Sequence, residues 1–208
     1  MLEIKNTEIA FLDRAIRASK NPMLVGEINT SINGVEPNME TVKNLASAEG
    51  ASGHDHFLCG IDVCFDVKYP QYWTIEAERY HWFDIVSSQS KMHRLTAMIK
   101  GGEGVYNKYV DKGIIEIVEE KIRVYNEYIK QYAGVENNFL REARYKLFME
   151  CVSNIPLGFE MWMTVKTNYL QLKTMYNQRR SHKLKEDWGE FCDWCEKLPR
   201  FIELIKRK

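Results

Sequence analysis

Phe57, Cys59, Ile61, Val63, Phe65, Val67 and Tyr69 place an apolar side chain at every second position, with Asp62, Asp66 and Lys68 between them. A period of two belongs to a strand with one buried face; a helix would scatter the same residues around its whole surface. The run is long for an isolated strand, so it is expected at the centre of a sheet. Pro70 closes it and suits the first position of a helix. The segment from Gln71 to about Gln89, rich in aromatic residues (Tyr72, Trp73, Tyr80, Trp82, Phe83), reads as that helix.

Elsewhere the helical period dominates. A short strand is expected at Leu2–Ile4, then a helix over Thr7–Ser19, with Ile9, Leu12 and Ile16 on one face and Thr7 as its N-cap. Residues 20–37 contain Asn21-Pro22, Gly26, Asn33-Gly34 and Pro37 and read as loop, with a short hairpin at Asn33-Gly34. A short helix over Met39–Ala48 is broken by Gly50-Ala51-Ser52-Gly53, and Gly101-Gly102-Glu103-Gly104 reads as a flexible loop. Helices follow from Gly113 to about Tyr132 and from Glu136 to about Val152, then a strand over Phe159–Val165. Helices over Asn168–Arg180 and Lys185–Leu198 and a final turn at Arg200–Lys206 complete the chain. The class is α+β: a helix-rich single domain around a small central sheet. With 208 residues the chain suffices for one well-buried domain and is short for two.

Charge narrows the function. Lys+Arg and Asp+Glu both number 29, so no global field recruits nucleic acid, and any phosphate contact must come from a few converging arginines. A neutral surface also lowers the barrier to self-association. No apolar run reaches the roughly 18 residues of a membrane span, and no secretory pattern opens the chain, so a soluble, cytoplasmic protein with reduced thiols is expected. His54 and His56 with Cys192 and Cys195 are enough ligands on paper for zinc. Cys192 and Cys195 lie on one face of a helical stretch, where small thiols pack as core, and no metal is expected.

Three polar segments are candidates for chemistry. His56 shares the alternate strand face with Asp62 and Asp66; it either points into a polar cleft or lies on the surface at a strand entrance. In Glu78–Arg94, the residues Glu78, His81, Ile85 and Ser88 follow helical spacing into a serine-rich exit ending in Ser90, Lys91 and Arg94. That exit is either an anion cradle or a capped helix end with solvated charge. The Asn168–His182 helix offers Asn168, Gln171 and Asn177, then Arg179, Arg180 and His182. Amides leading to arginine suit a planar base bearing carbonyls; an exposed helix with cations at its C-terminus is the structural alternative.

In this order, the segments resemble the flavin-dependent thymidylate synthases. The resemblance rests on Arg141-Glu142-Ala143-Arg144, on Met163-Thr164-Val165, and on Asn168 standing eleven residues before Arg179. Lys183–Trp188, Ala15–Ser19 and Ser52–Phe57 match further family motifs loosely. Against the family's Arg-His-Arg signature and its following Ser-x-Arg, the chain has Tyr80-His81-Trp82, Ser90 and Met92, with Arg94 two positions beyond. The Ser87–Arg94 string is closer to that of small, often phage-borne relatives.

The resemblance implies the fold of the thymidylate-synthase-complementing proteins, with a small antiparallel sheet and a homo-oligomer, a tetramer. It implies methylation of the pyrimidine ring of dUMP, with reduced FAD, NADPH and methylenetetrahydrofolate and no enzyme nucleophile. It places Ser90, Arg94 and Arg144 at the phosphate of a pyrimidine nucleoside monophosphate. Arg179 goes to the base carbonyls as the catalytic residue, and His56, His81 and Asn168 face the flavin. With Tyr80 and Trp82 in the arginine positions, flavin binding is expected to be weak. Two other readings stand: another pyrimidine-nucleotide modification, such as hydroxymethylation or one on cytosine, and a non-catalytic nucleotide-binding or interaction protein without the flavin site.

Overall fold

A computed structural model describes residues 2–48, 52–94 and 105–205. The glycine loop at 101–104, the Gly50-Ala51 part of the earlier breaker and Lys206 lie outside the described residues. Four strands, β1 (Glu3–Ala10), β2 (Asp62–Pro70), β3 (Asp84–Ser88) and β4 (Glu160–Asn168), form a small antiparallel sheet in the order β1-β2-β4-β3. Nine α-helices among the described residues make the chain α+β. It divides into two compact units, one of Met1–Val67, Glu76–Ser87 and Met163–Lys208, the other of Lys68–Ile75 and Ser88–Trp162.

In the first unit, β2 buries the face that its alternation marks: Val63, Phe65 and Val67 are sealed from solvent. Phe65 packs on Trp194 of helix α8 (Lys185–Lys197), ring centroids 4.4 Å apart, and on Phe83 at 6.1 Å. Trp188, Phe191, Cys192 and Cys195 fill the same buried side of α8, so its two thiols are core groups. Helix α7 (Tyr169–Arg179) buries Tyr169, Leu172 and Met175, and Tyr169 stacks edge-on against Phe201 of α9 (Phe201–Ile205). Helix α1 (Leu12–Ala18) anchors the segment after it. Arg17 donates from Nε to the Thr30 carbonyl (3.1 Å) and pairs with Glu36 (2.8 Å), and Lys20 reaches the carbonyls of Val35 and Glu36. The segment held this way nevertheless turns Met23, Val25, Ile32 and Val35 outward. Helix α2 is Met39–Ala46, capped by the Asn38 side chain.

The hairpin expected at Asn33-Gly34 is a turn without flanking strands, and β4 runs on to Asn168 rather than ending at Val165. Three further boundaries differ from the sequence expectation. The long strand starts at Asp62, because residues His56–Gly60 wind into a 3-10 turn that buries Leu58 and leaves Phe57 and Cys59 half-exposed. The helix placed over Thr7–Ser19 begins only at Leu12. Phe11 takes a left-handed conformation (φ 63°) that separates it from β1, and Thr7 accepts the Trp194 indole N–H at 3.0 Å instead of capping a helix. The helix from Gln71 stops at Ala77 (α3), and after a turn the β-branched Ile85-Val86 pair enters β3.

The second unit is built on a helical hairpin. Helix α5 (Lys112–Gln131) is capped by Asp111, whose carboxylate accepts from Gly113 N–H at 2.8 Å; α6 (Asn138–Asn154) is capped by Asn137, accepting from Leu140 at 2.8 Å. Gly134 between them has φ 78°, a left-handed turn that a side chain disfavours. Val118, Ile122 and Tyr125 form the inner face of α5, with Tyr125 against Phe148. A single turn, α4 (Lys91–Arg94), follows β3.

Candidate functional site in the first unit

Helix α7 carries the densest polar chemistry, and its start explains how it is placed. Asn168 is extended (φ −141°), and its side-chain oxygen accepts from the Gln171 N–H at 2.9 Å, closing one of the open donors of the first turn. Asn168 is therefore engaged as the N-cap. Arg179 lies at the other end, about 16 Å along the axis at 1.5 Å per residue. The eleven-residue spacing thus separates these two side chains.

Midway, Lys173 is buried and fully bonded. Its ammonium donates to the Ala46 carbonyl (2.7 Å), the Ala48 carbonyl (3.0 Å) and the Asp55 carboxylate (2.6 Å). A buried charge needs this degree of partnering, and here it clamps α7 to the end of α2 and to the loop before β2. Beside it opens a cleft of about 460 Å³, lined by Gly53, His56, Trp82, Leu170, Thr174, Asn177 and Gln178 along with the Lys173–Asp55 pair. Trp82 is 46% exposed and offers an aromatic wall. His56 lines the cleft, with its Nε2 3.6 Å from Cys59 Sγ. Burial and the Asp62 charge push the Cys59 thiol up, away from thiolate character. His81 is exposed and packs against the Trp82 ring at 5.1 Å; of the two, Trp82 lines the cleft.

Arg179 is held in a knot of side chains. Its Nε donates to the Tyr80 hydroxyl (2.8 Å) and one terminal nitrogen to Glu76 Oε2 (2.8 Å). Its guanidinium lies 4.7 Å from the Trp188 ring and 5.4 Å from the Tyr80 ring. Trp188 donates its indole N–H to the same Glu76 oxygen at 3.0 Å, and His182 Nε2 is 3.3 Å from it. The Tyr80 hydroxyl in turn donates a hydrogen bond to Gln178 Oε1 (2.9 Å), a wall residue of the cleft. Glu76, Lys173 and Gln178 were not singled out by pattern, and Trp188 entered only as the end of the loosely matched Lys183–Trp188 stretch. Glu76 meets its arginine across 103 positions of sequence, and no local spacing marks such a pair.

The remaining expected residues are in the second unit. The Ser90 carbonyl and hydroxyl accept from the Arg94 and His93 N–H groups, so Ser90 starts α4. Lys91 donates to Gln71 (3.0 Å), and Arg94 donates to Gln89 (2.6 Å) with its guanidinium over the Phe159 ring. Arg144 is exposed, without a hydrogen-bond partner among the described residues. It lines a groove of about 200 Å³ at the α5–α6 turn with Tyr128, Tyr132 and Arg141.

The first-unit cleft can be tested against a flavin dinucleotide. A planar ring suits Trp82 and Leu170, but a diphosphate needs cations or clustered N–H donors. The ammonium that lines the cleft, Lys173, is spent on its three acceptors, and Arg179 beside it is spent on Glu76. The residues lining this cleft do not fit the diphosphate. No group of three His, Cys, Asp or Glu side chains converges on a metal position among the described residues, and no helix there is long and apolar enough to cross a membrane.

No protein-family model matches the sequence, and no curated protein matches it. In three dimensions the chain has the α+β fold of the flavin-dependent thymidylate synthases. The similar solved structures include ThyX from Helicobacter pylori complexed with FAD and dUMP, with a TM-score of 0.65 and 13% identity over 98% of this chain and 100% of that one. A second structure of the H. pylori protein with FAD and dUMP gives a TM-score of 0.62 and 11% identity, over 98% of this chain and 96% of that one.

Proposed function

We propose that this chain binds a pyrimidine deoxynucleoside monophosphate, with the base read at the end of α7 by Arg179. The observation that carries the reading is the clamping of the Arg179 guanidinium by Glu76 and Tyr80 against the Trp188 ring, which fixes its plane. A fixed planar donor suits uracil-type carbonyls, since little freedom remains to be lost on binding. Within the second unit, Arg144 is proposed to bind phosphate in its own groove, because its charge is unspent. The full-length likeness to ThyX, solved with FAD and dUMP, supports a nucleotide of this class.

Calorimetric titration of dUMP, dCMP and dTMP tests the reading; binding of dUMP in preference to dCMP is expected, and no binding of any of the three would refute it. A second reading keeps thymidylate synthesis itself, with reduced FAD, NADPH and methylenetetrahydrofolate, and is carried by the fold. The spent cations around the cleft favour the first. FAD co-purifying tightly at one per chain would favour the second.

A further inference from the structure

Glu76 does more than brace its neighbours. Its Oε2 accepts from Arg179 and Trp188 and faces His182, so one oxygen gathers the groups at the end of α7. The carboxylate and the guanidinium are both largely shielded, with side-chain exposures of 25% and 15%. The second terminal nitrogen of Arg179 has no partner among the described residues. Arg179 thus keeps N–H groups to offer while its charge is already balanced.

We propose that Glu76 determines the ligand chemistry at Arg179: the position accepts an uncharged ring bearing carbonyl acceptors and rejects phosphate and other anions. A carbonyl needs only a directed donor, which the remaining N–H groups supply. An anion at the same place would meet a carboxylate 2.8 Å from the guanidinium, and in a shielded site that repulsion cancels most of the attraction. Tyr80 strengthens the arrangement: its hydroxyl accepts from Arg179 and donates to Gln178, linking the arginine to the cleft wall through neutral groups. This inference rests on the reading that Arg179 faces a nucleotide base, and it adds which part of the nucleotide this position can take.

The test titrates inorganic phosphate, deoxyuridine and dUMP into the full chain and into Glu76→Gln. Phosphate affinity is expected to rise about tenfold in Glu76→Gln, the scale of one charge-assisted hydrogen bond set free. The gain should vanish in Glu76→Gln combined with Arg179→Gln, which assigns it to this arginine and not to Arg144. Glu76→Met removes the same charge and replaces Glu76→Gln if circular dichroism shows the latter unfolded. A folded variant without gain in phosphate affinity overturns the proposal. Wild type that binds neither deoxyuridine nor dUMP overturns the nucleotide reading instead, and the phosphate gain still reports on Glu76.

Discussion

Arg144 and Arg179 are the same residue type in opposite situations. Arg144 stands exposed with an open charge, so Arg144→Ala is expected to change stability by less than about 0.5 kcal/mol. It should weaken all nucleoside monophosphates alike and reduce the salt dependence of binding, because a phosphate contact carries no base information. Arg179→Ala strips Glu76 of its cation and two aromatic rings of their guanidinium, and is expected to cost about 1.5–3 kcal/mol of stability. It should also erase discrimination between uracil and cytosine. Arg179→Lys should not restore this, since an ammonium lacks the planar fork of donors. Urea denaturation and calorimetry on the three variants decide the matter; equal stability losses for Arg144→Ala and Arg179→Ala would show the knot around Glu76 to be energetically empty.

At the level of elements, α7 is positioned by its cap and its clamp. Asn168→Ala is expected to lose about 1 kcal/mol, and Asn168→Asp to retain most of it, since either oxygen can accept from Gln171. A purely ligand-binding asparagine would leave the melting temperature unchanged in both variants. Helices α5, α6, α7 and α8 lie where the sequence places helices, and α5 shows why most plainly, with Val118, Ile122 and Tyr125 at helical spacing on its buried face. Strand β4 was legible from Phe159–Val165. The misplaced elements share one cause: Phe57 and Cys59 continue the alternation by chance into a 3-10 turn, and Ile9 mimics a helical face while lying in β1. Aromatic content suggested helix through Phe83, although the Ile85-Val86 pair favours strand. Of the site, the residues of α7 were visible as a polar series, but the partners that define them were not. Glu76 and Asp55 reach Arg179 and Lys173 only through the fold.

For the molecule as a whole, two bulk measurements follow. Burial, with the Glu119 charge, pushes the Tyr106 hydroxyl up to about 12; burial, with its hydrogen bond to Glu196, does the same for Tyr176. Unfolded tyrosine ionises near pH 10, so the stability gained by keeping these rings neutral is complete below about pH 10 and is lost as pH rises toward about 12. Tyrosinate absorbance should lag in the native protein and then rise together with loss of circular dichroism; early, gradual ionisation of every tyrosine would contradict it. We also propose a homo-oligomer, a tetramer. Phe139, Tyr145, Ile114 and Ile117 of the helical hairpin are exposed on a chain of zero net charge. Light scattering giving the mass of one chain would remove that proposal. The segment that Arg17 and Lys20 pin to α1 has a last consequence. Its outward Met23 and Val25 invite a protease, yet the bonds at Thr30, Val35 and Glu36 lie beyond that point in the chain. A single nick between Met23 and Val25 should therefore leave two fragments that separate on a denaturing gel and still elute together as one folded particle.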